Sequence, residues 1–166
     1  MLNLLEECPH WMADGTFKVS PALFTQMYTV HVILGEDVFP RIYAFLSSKN
    51  RQTYEKMWQM ITDIRPNISP TSCTMDFEIA AHDAMRTAFP NINIYGCYFH
   101  FVQSIWRKVQ DLGLRHHYII DEDFRMSVKM LAAIAFVQAP NVSDAFESLS
   151  ERAEDLELER FEDLLL

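Results

Sequence analysis

Residues 28–45 read YTVHVILGEDVFPRIYAF, and this stretch decides the fold: Gly35-Glu36-Asp37, a turn-forming triplet, separates two runs rich in β-branched and aromatic residues. The pattern predicts a β-hairpin. Pro40 lies inside the second run, and because proline donates no ladder hydrogen bond, that strand should lie at a sheet edge or contain a bulge. The apolar run 11–18 precedes the hairpin, so the chain is expected to open with three antiparallel strands.

Strands and helices alternate after the hairpin. Apolar residues at spacings of three and four predict an amphipathic helix over 51–64, which Pro66 follows. The other predicted elements are strands at 72–75 and 92–95 and helices at 77–89, at 99–112 ending at Gly113, at 124–136, and from a cap at Asn141 or Ser143. This order predicts an α/β fold, with a mixed sheet covered by helices and then a helical C-terminal extension.

The composition narrows the class of protein. A chain of 166 residues that is 49% hydrophobic is long enough for one domain with a substantial core. No apolar run approaches the roughly 20 residues of a membrane span, and the acidic N-terminus does not resemble a secretory signal. Three cysteines without a disulfide-framework spacing suit a reducing compartment. We therefore expect a soluble protein with a short tail.

The net charge of -9 is concentrated in that tail. Residues 144–166 hold nine acids and two bases, whereas residues 1–143 hold fourteen acids and twelve bases. A nearly neutral body can still bind phosphate where bases gather, because charge acts locally at a Debye length of roughly 8 to 10 Å. One such gathering consists of Arg107, Lys108, Arg115, His116 and His117.

Two aspartates are the main candidates for chemistry. Asp14 and Asp76 each lie at the end of a strand-like run, and in the predicted order these two strands are parallel neighbours. Two such carboxylates would hold a hard cation such as Mg²⁺ or Mn²⁺, which favours phosphodiester chemistry. The alternative is a turn at Asp14-Gly15 and a helix cap at Asp76. Glu78 lies on a different helical face and could at most support the site.

Three motifs in order resemble the transposase domain of Mutator-like elements, the MULE family. They are Ala13-Asp14-Gly15-Thr16-Phe17, then Met75-Asp76-Phe77-Glu78 with Ala80 and Ala81, then Gly96-Cys97-Tyr98-Phe99-His100 with Trp106. The resemblance covers roughly residues 9 to 137. It implies an RNase H-like fold, a nuclear location and an Asp-Asp-Glu triad with Mg²⁺ or Mn²⁺ that cuts DNA at transposon ends and joins it to a target. Asp14 and Asp76 would be the first two members of that triad.

Other residues keep two interpretations. Cys97 and His100 match the family's Cys-x-x-His signature and could bind zinc, with Cys8 and His10 as conceivable further ligands, or could be a buried thiol and a hydrogen-bonded histidine. Arg107 and Lys108 could contact DNA phosphates beside Trp106, or form a solvated helix face.

The third carboxylate has no recognisable position. The family places it past a helical insertion in an Asn-Asn-x-x-Glu context, which this sequence lacks. Late glutamates exist, but none lies in a matching motif: Glu147, Glu151, Glu154, Glu157, Glu159 and Glu162. We expect a transposase core over 1–118, the start of the insertion over 119–150 and an acidic tail over 151–166.

Two functions follow from these expectations. One is a DNA transposase domain that stops before its third carboxylate and could form a homo-oligomer. The other is a catalytically inactive transposase-derived module that interacts with DNA or protein.

Overall fold

The structure is a computed structural model that describes residues 3–16 and 19–155 together with Phe161 and Leu164. The chain divides into two compact units, Met1–Cys97 and Tyr98–Leu166. Each unit has its own cluster of buried apolar side chains. The first unit contains the sheet, and the described part of the second is helical.

Five strands form the sheet of the first unit, in the spatial order β3-β2-β1-β4-β5. Their bounds are β1 His10–Thr16, β2 Gln26–Leu34, β3 Asp37–Leu46, β4 Ser72–Met75 and β5 Asn93–Gly96. β2 is antiparallel to both β1 and β3, whereas β4 is parallel to both β1 and β5. The predicted antiparallel opening and the parallel β1–β4 neighbours are therefore confirmed. This mixed α/β sheet is compatible with an RNase H-like fold.

The β2–β3 hairpin forms as the sequence predicts. Its turn contains Gly35 at a φ of 64°, a left-handed conformation that glycine adopts without a steric penalty. β3 is the edge strand of the sheet. The pairing shifts from Val30 opposite Ile42 to His31 opposite Pro40, which leaves Arg41 as an extra residue. Pro40 therefore lies both on an edge and beside a bulge, where its missing N–H costs no ladder hydrogen bond.

The described residues of the first unit form three helices: α1 Leu4–Glu7, α2 Arg51–Ile64 and α3 Ile79–Ala88. α2 has the predicted bounds, and Asn50 Oδ1 caps it by accepting a hydrogen bond from Thr53 N at 2.8 Å. Trp58 of α2 stacks on Trp11 of β1 with ring centroids 6.2 Å apart. Both indoles are almost fully buried. The core thus lies on the sheet face that carries Trp11. Helix α1 was not predicted, because four residues are too few to show a period.

The second unit contains α4 Tyr98–Asp111, α5 Arg115–Ile120, α6 Glu122–Ala133 and α7 Val142–Asp155. Gly113 follows α4 at a φ of 71°, as the predicted helix end requires. The core of this unit includes Val109, Phe124 and Leu149. Helix α5 was missed, since its six residues show no helical period, and residues 134–136 form a 3₁₀ turn where the sequence predicted a continued helix.

The predicted acidic tail lies largely outside the described residues. Within it, α7 continues to Asp155, and the side chains of Phe161 and Leu164 are buried. None of the helices in the described part of the chain is long and apolar enough to cross a membrane.

Candidate functional site

Asp14 is a strand residue. It pairs with Thr29 across the antiparallel β1–β2 ladder, and Gly15 pairs with Tyr28 beyond it. The Thr29 hydroxyl also donates to the Asp14 carbonyl oxygen at 3.3 Å. The alternative prediction of a turn at Asp14-Gly15 is therefore wrong, because both residues belong to a paired strand.

Asp76 follows β4 directly and is held at two points. Its carboxylate Oδ1 accepts a hydrogen bond from the Glu78 backbone N–H at 3.2 Å, and its carbonyl oxygen accepts one from His82 Nε2 at 2.5 Å. Because the first bond closes a local Asx-type turn, Phe77 and Glu78 are not helical and α3 begins at Ile79. This corrects the predicted helix start at Phe77. Asp76 also does not cap α3, since Glu78 occupies the N-cap position.

The register of β1 and β4 brings the two aspartates to neighbouring positions. The last registered pair is Ala13 opposite Met75, and the next residue along each strand is an aspartate. Adjacent strands lie about 4.8 Å apart. The Asp14 side chain points to the face opposite the one that buries Trp11 and Ala13, because side chains alternate along a strand. Asp76 follows the last residue of β4, so the turn that its carboxylate makes with the Glu78 N–H orients it. Both aspartates are half-buried.

This donor set suits a hard divalent cation. Carboxylate oxygens are the ligands that Mg²⁺ and Mn²⁺ prefer, and half-buried aspartates leave room for water and substrate oxygens. Among the described residues, however, no group of three His, Cys, Asp or Glu side chains could hold a metal ion. The described part of the structure therefore brings the ends of two aspartate-bearing strands together without a group of three possible ligands.

Among the described residues Glu78 completes no such group, and other partners contact both of its oxygens. Oε1 accepts a hydrogen bond from the Tyr54 hydroxyl at 2.9 Å, and Oε2 lies 3.6 Å from Lys49 Nζ. Of the late glutamates, Glu147, Glu151 and Glu154 belong to α7 in the second unit. Glu157, Glu159 and Glu162 lie outside the described residues.

A buried polar chain adjoins the aspartates and was missed in the sequence. Gln26 Nε2 donates to the Tyr54 hydroxyl oxygen at 2.6 Å, and that hydroxyl donates its single proton to Glu78. Since a carboxylate only accepts, the direction of both hydrogen bonds follows, and the Gln26 amide has one orientation. Desolvation by burial raises the pKa of Tyr54, and the hydrogen bond to Glu78 raises it further. The sequence shows Tyr54 only as part of an apolar helical stripe.

The pKa of Tyr28 is also raised. Burial is the main cause, and the charges of Cys73, Tyr54 and Asp76 add to it. Tyr28 packs edge-on against Tyr54 with ring centroids 5.2 Å apart. Both phenols are therefore neutral structural groups beside the acidic end of the sheet.

Cys97 and His100 fall in different units of the chain. Cys97 is a half-buried free thiol whose backbone N–H donates to the Met75 carbonyl at 2.7 Å. His100 lies in α4 with its ring beside Phe99. Of the conceivable further ligands, Cys8 is buried and His10 Nδ1 is bonded to Ser72 Oγ at 2.8 Å. Nothing in the described part of the chain assembles a zinc site from these residues.

The predicted DNA contacts lie on α4. Arg107 and Lys108 are exposed, and Arg107 donates to Gln103 Oε1 at 2.6 Å along the helix. Trp106 instead packs edge-on against Tyr118 beside the apolar core of the second unit. The indole is thus a packing residue, while the two bases face solvent.

The fold and the site define a class: an α/β domain with a mixed sheet, in which one aspartate lies near the end of β1 and another directly follows the parallel neighbour β4. The sequence model of the MULE transposase domain matches residues 10–104, more than half of the chain. The protein belongs to the MULE transposase domain family. No curated protein matches the chain. Membership supports a transposase-related function, which implies an interaction with DNA, and the family in general suggests dependence on a divalent metal.

Proposed function

We propose that this chain is a DNA transposase domain in which Asp14 and Asp76 hold Mg²⁺ or Mn²⁺. The observation that carries the proposal is the β1–β4 register, in which the two aspartates are the residues that follow the last pair, Ala13 and Met75, of two adjacent parallel strands. Family membership supports the same assignment, because the match includes both residues. Cleavage of transposon ends and strand transfer to a target would then be the reactions of the complete site.

The residues of the site would act by holding and orienting oxygen ligands. When bound, a divalent cation would supply charge stabilisation and a more acidic water or hydroxyl nucleophile. Asp14 is held within a paired strand, and Asp76 is fixed by Glu78 N–H and by His82. The backbone of both aspartates and the carboxylate of Asp76 are thus held by hydrogen bonds before any ligand arrives.

Exposed bases would contribute electrostatic contacts with the DNA backbone. Arg107 and Lys108 on α4 are available for phosphates, and Arg115 and His116 on α5 are exposed as well. Such contacts are independent of base sequence and weaken with salt. We propose that the functional core runs over 1–118, past the compact unit that ends at Cys97, since the family match itself continues to residue 104. The helices over 119–150 and the tail over 151–166 would be separate functional parts, and the location nuclear.

A second candidate function is an inactive transposase-derived module that binds DNA or protein. The observation in its favour is that the described residues contain no group of three metal ligands. A site with two carboxylates should bind metal weakly, so both candidates predict little strand cleavage by this chain alone. They differ in whether the aspartates bind metal at all.

Metal binding by the purified 166-residue chain tests the proposal. We expect Mn²⁺ binding, followed by electron paramagnetic resonance, that is lost in Asp14→Asn and in Asp76→Asn. Asp37→Asn is the matched control, because Asp37 is an exposed aspartate at the start of β3 in the same unit. Mn²⁺ binding that is equal in all four proteins, or absent from the wild type, would refute the metal-site assignment. Metal-dependent DNA nicking that Asp14→Ala abolishes would exclude the inactive module.

A further inference from the structure

The buried polar chain joins the two segments that carry the aspartates. It consists of Gln26 on β2, Tyr54 on α2 and Glu78 at the start of α3, linked by hydrogen bonds of 2.6 and 2.9 Å. Gln26 and Tyr54 are fully buried, and Lys49 forms an ion pair with Glu78 at the outer end. These residues are 24 and 28 positions apart in sequence, so the chain is a tertiary feature.

One end of this chain contacts the backbone next to Asp14. A Cβ atom built on Gly15 would lie 2.3 Å from Gln26 Oε1 and 3.2 Å from its Cδ. The Gln26 amide therefore lies directly against the Gly15 backbone, at a distance that any side chain would prevent. Because Gln26 is anchored by Tyr54, its amide limits how far the Gly15 backbone can move toward the core side of the sheet.

The other end controls the backbone next to Asp76. The Glu78 side chain is bonded to Tyr54, and the Glu78 backbone N–H is bonded to the Asp76 carboxylate. A displacement of Glu78 would therefore move the donor that orients Asp76. One set of hydrogen bonds thus touches both aspartate segments.

We propose that Gln26, Tyr54 and Glu78 form a brace that fixes the separation of Asp14 and Asp76. The brace residues are positioning residues, since their side chains bond to one another and, at Glu78, also pair with Lys49. The predicted effect on metal affinity rests on the proposed function. The coupling of the two aspartate segments rests only on the hydrogen bonds described above. Groups that orient metal ligands typically change metal affinity 10- to 100-fold when they are removed.

Backbone hydrogen exchange of the metal-free protein tests the brace itself. Tyr54→Phe removes the hydroxyl and leaves Gln26 and Glu78 without their shared partner. We expect exchange in both segments, 10–16 and 72–78, to become about 5- to 30-fold faster, as the loss of a buried hydrogen bond implies. Tyr28→Phe is the matched control, because this tyrosine is equally buried and packs on Tyr54, but its hydroxyl is not a member of the brace.

Two exchange results would overturn the inference. One is equal exchange rates in the Tyr54→Phe and Tyr28→Phe proteins. The other is acceleration in only one of the two segments, because a brace must couple both. Neither result depends on metal binding, so this test stands even if Asp14→Asn shows that the proposed metal site is wrong.

Mn²⁺ affinity then tests the consequence of the brace. We expect Tyr54→Phe and Glu78→Ala to weaken binding about 10- to 100-fold, with circular dichroism unchanged. Glu78→Gln should stay close to wild type, because its amide oxygen still accepts from Tyr54. A Mn²⁺ affinity that falls as much in Glu78→Gln as in Glu78→Ala would contradict the brace. The negative charge of Glu78, and not its hydrogen bond with Tyr54, would then determine the affinity.

Discussion

Gly15→Ala is the sharpest perturbation of this structure. Gly15 has no left-handed backbone requirement, so an added methyl group acts through space alone. Its Cβ would lie 2.3 Å from Gln26 Oε1, far inside van der Waals contact. Gln26 is fully buried and bonded to Tyr54, which prevents a simple rotation away from the methyl group.

Two opposing contributions set the change in the free energy of unfolding that Gly15→Ala causes. If Gln26 stays in place, the overpacked position lowers the free energy of unfolding by typically about 1 to 3 kcal/mol. If Gln26 moves away, it loses a hydrogen bond that contributes about 1 kcal/mol. Replacing glycine stabilises by about 0.4 to 1 kcal/mol, because the unfolded chain loses freedom. We expect the free energy of unfolding to fall by about 1 to 2 kcal/mol.

Urea denaturation measures this change in the first unit. The fluorescence of Trp11 and Trp58 reports on its core, and a Trp106→Phe background removes the indole of the second unit. A loss of about 1 to 2 kcal/mol should lower the urea midpoint by about 0.5 to 1 M if the slope of the unfolding free energy is about 2 kcal/mol/M.

A matched glycine provides the control. In Gly96→Ala the new Cβ would lie 2.7 Å from Phe77 Cε1, but the Phe77 ring is 54% exposed and can swing outward. The unfolding free energy should therefore change by less than about 0.5 kcal/mol. Equal effects of the two substitutions would refute the reasoning. So would an undiminished cost of Gly15→Ala in a Gln26→Ala background, where the contact no longer exists.

Two further predictions concern stability. Burial raises the pKa of the Cys73 thiol to about 12 and raises the pKa values of Tyr28 and Tyr54. In an unfolded chain, Cys and Tyr have pKa values of about 8.5 and about 10. The unfolded chain therefore releases protons that the folded one keeps, and stability should fall as pH rises above about 8.5; a urea midpoint at pH 10.5 no lower than at pH 8 would contradict this. Asn50→Ala removes the α2 cap and should lower the free energy of unfolding by about 1 kcal/mol in the same urea assay. Asn67→Ala, at an exposed turn, is the control and should leave it unchanged. Equal urea midpoints for the two variants would show that the cap contributes nothing.

Local signals predicted much of the first unit. Helix α2 has the expected bounds because a clear apolar period, a capping Asn50 and the following Pro66 all act within a few residues. Strand β4 also has the expected bounds. The start of α3 was placed two residues early, since a hydrogen bond from Glu78 N–H to the Asp76 side chain overrides helix formation there. Helix α5 was missed because its six residues show no periodicity.

The sequence predicted the two aspartates of the candidate site but not the hydrogen bonds around them. Asp14 and Asp76 stood out because each ends an apolar strand-like run, and the motifs around them identified the family that the match over 10–104 confirms. The brace could not be found in this way. Tyr54 lies on the apolar stripe of α2, and Gln26 precedes the predicted hairpin, so neither marks its partner.

The sequence by itself determined the strands, most helices and the two aspartates, because apolar periodicity, turn residues and capping residues act over short distances. Only the tertiary structure decided that Ala13 lies opposite Met75, so that the aspartates become neighbours, and that Tyr54 joins Gln26 to Glu78. These contacts join residues 24 to 62 positions apart. Their geometry depends on how the sheet and α2 pack together, and hydrogen bonds between buried groups form only after that packing excludes water.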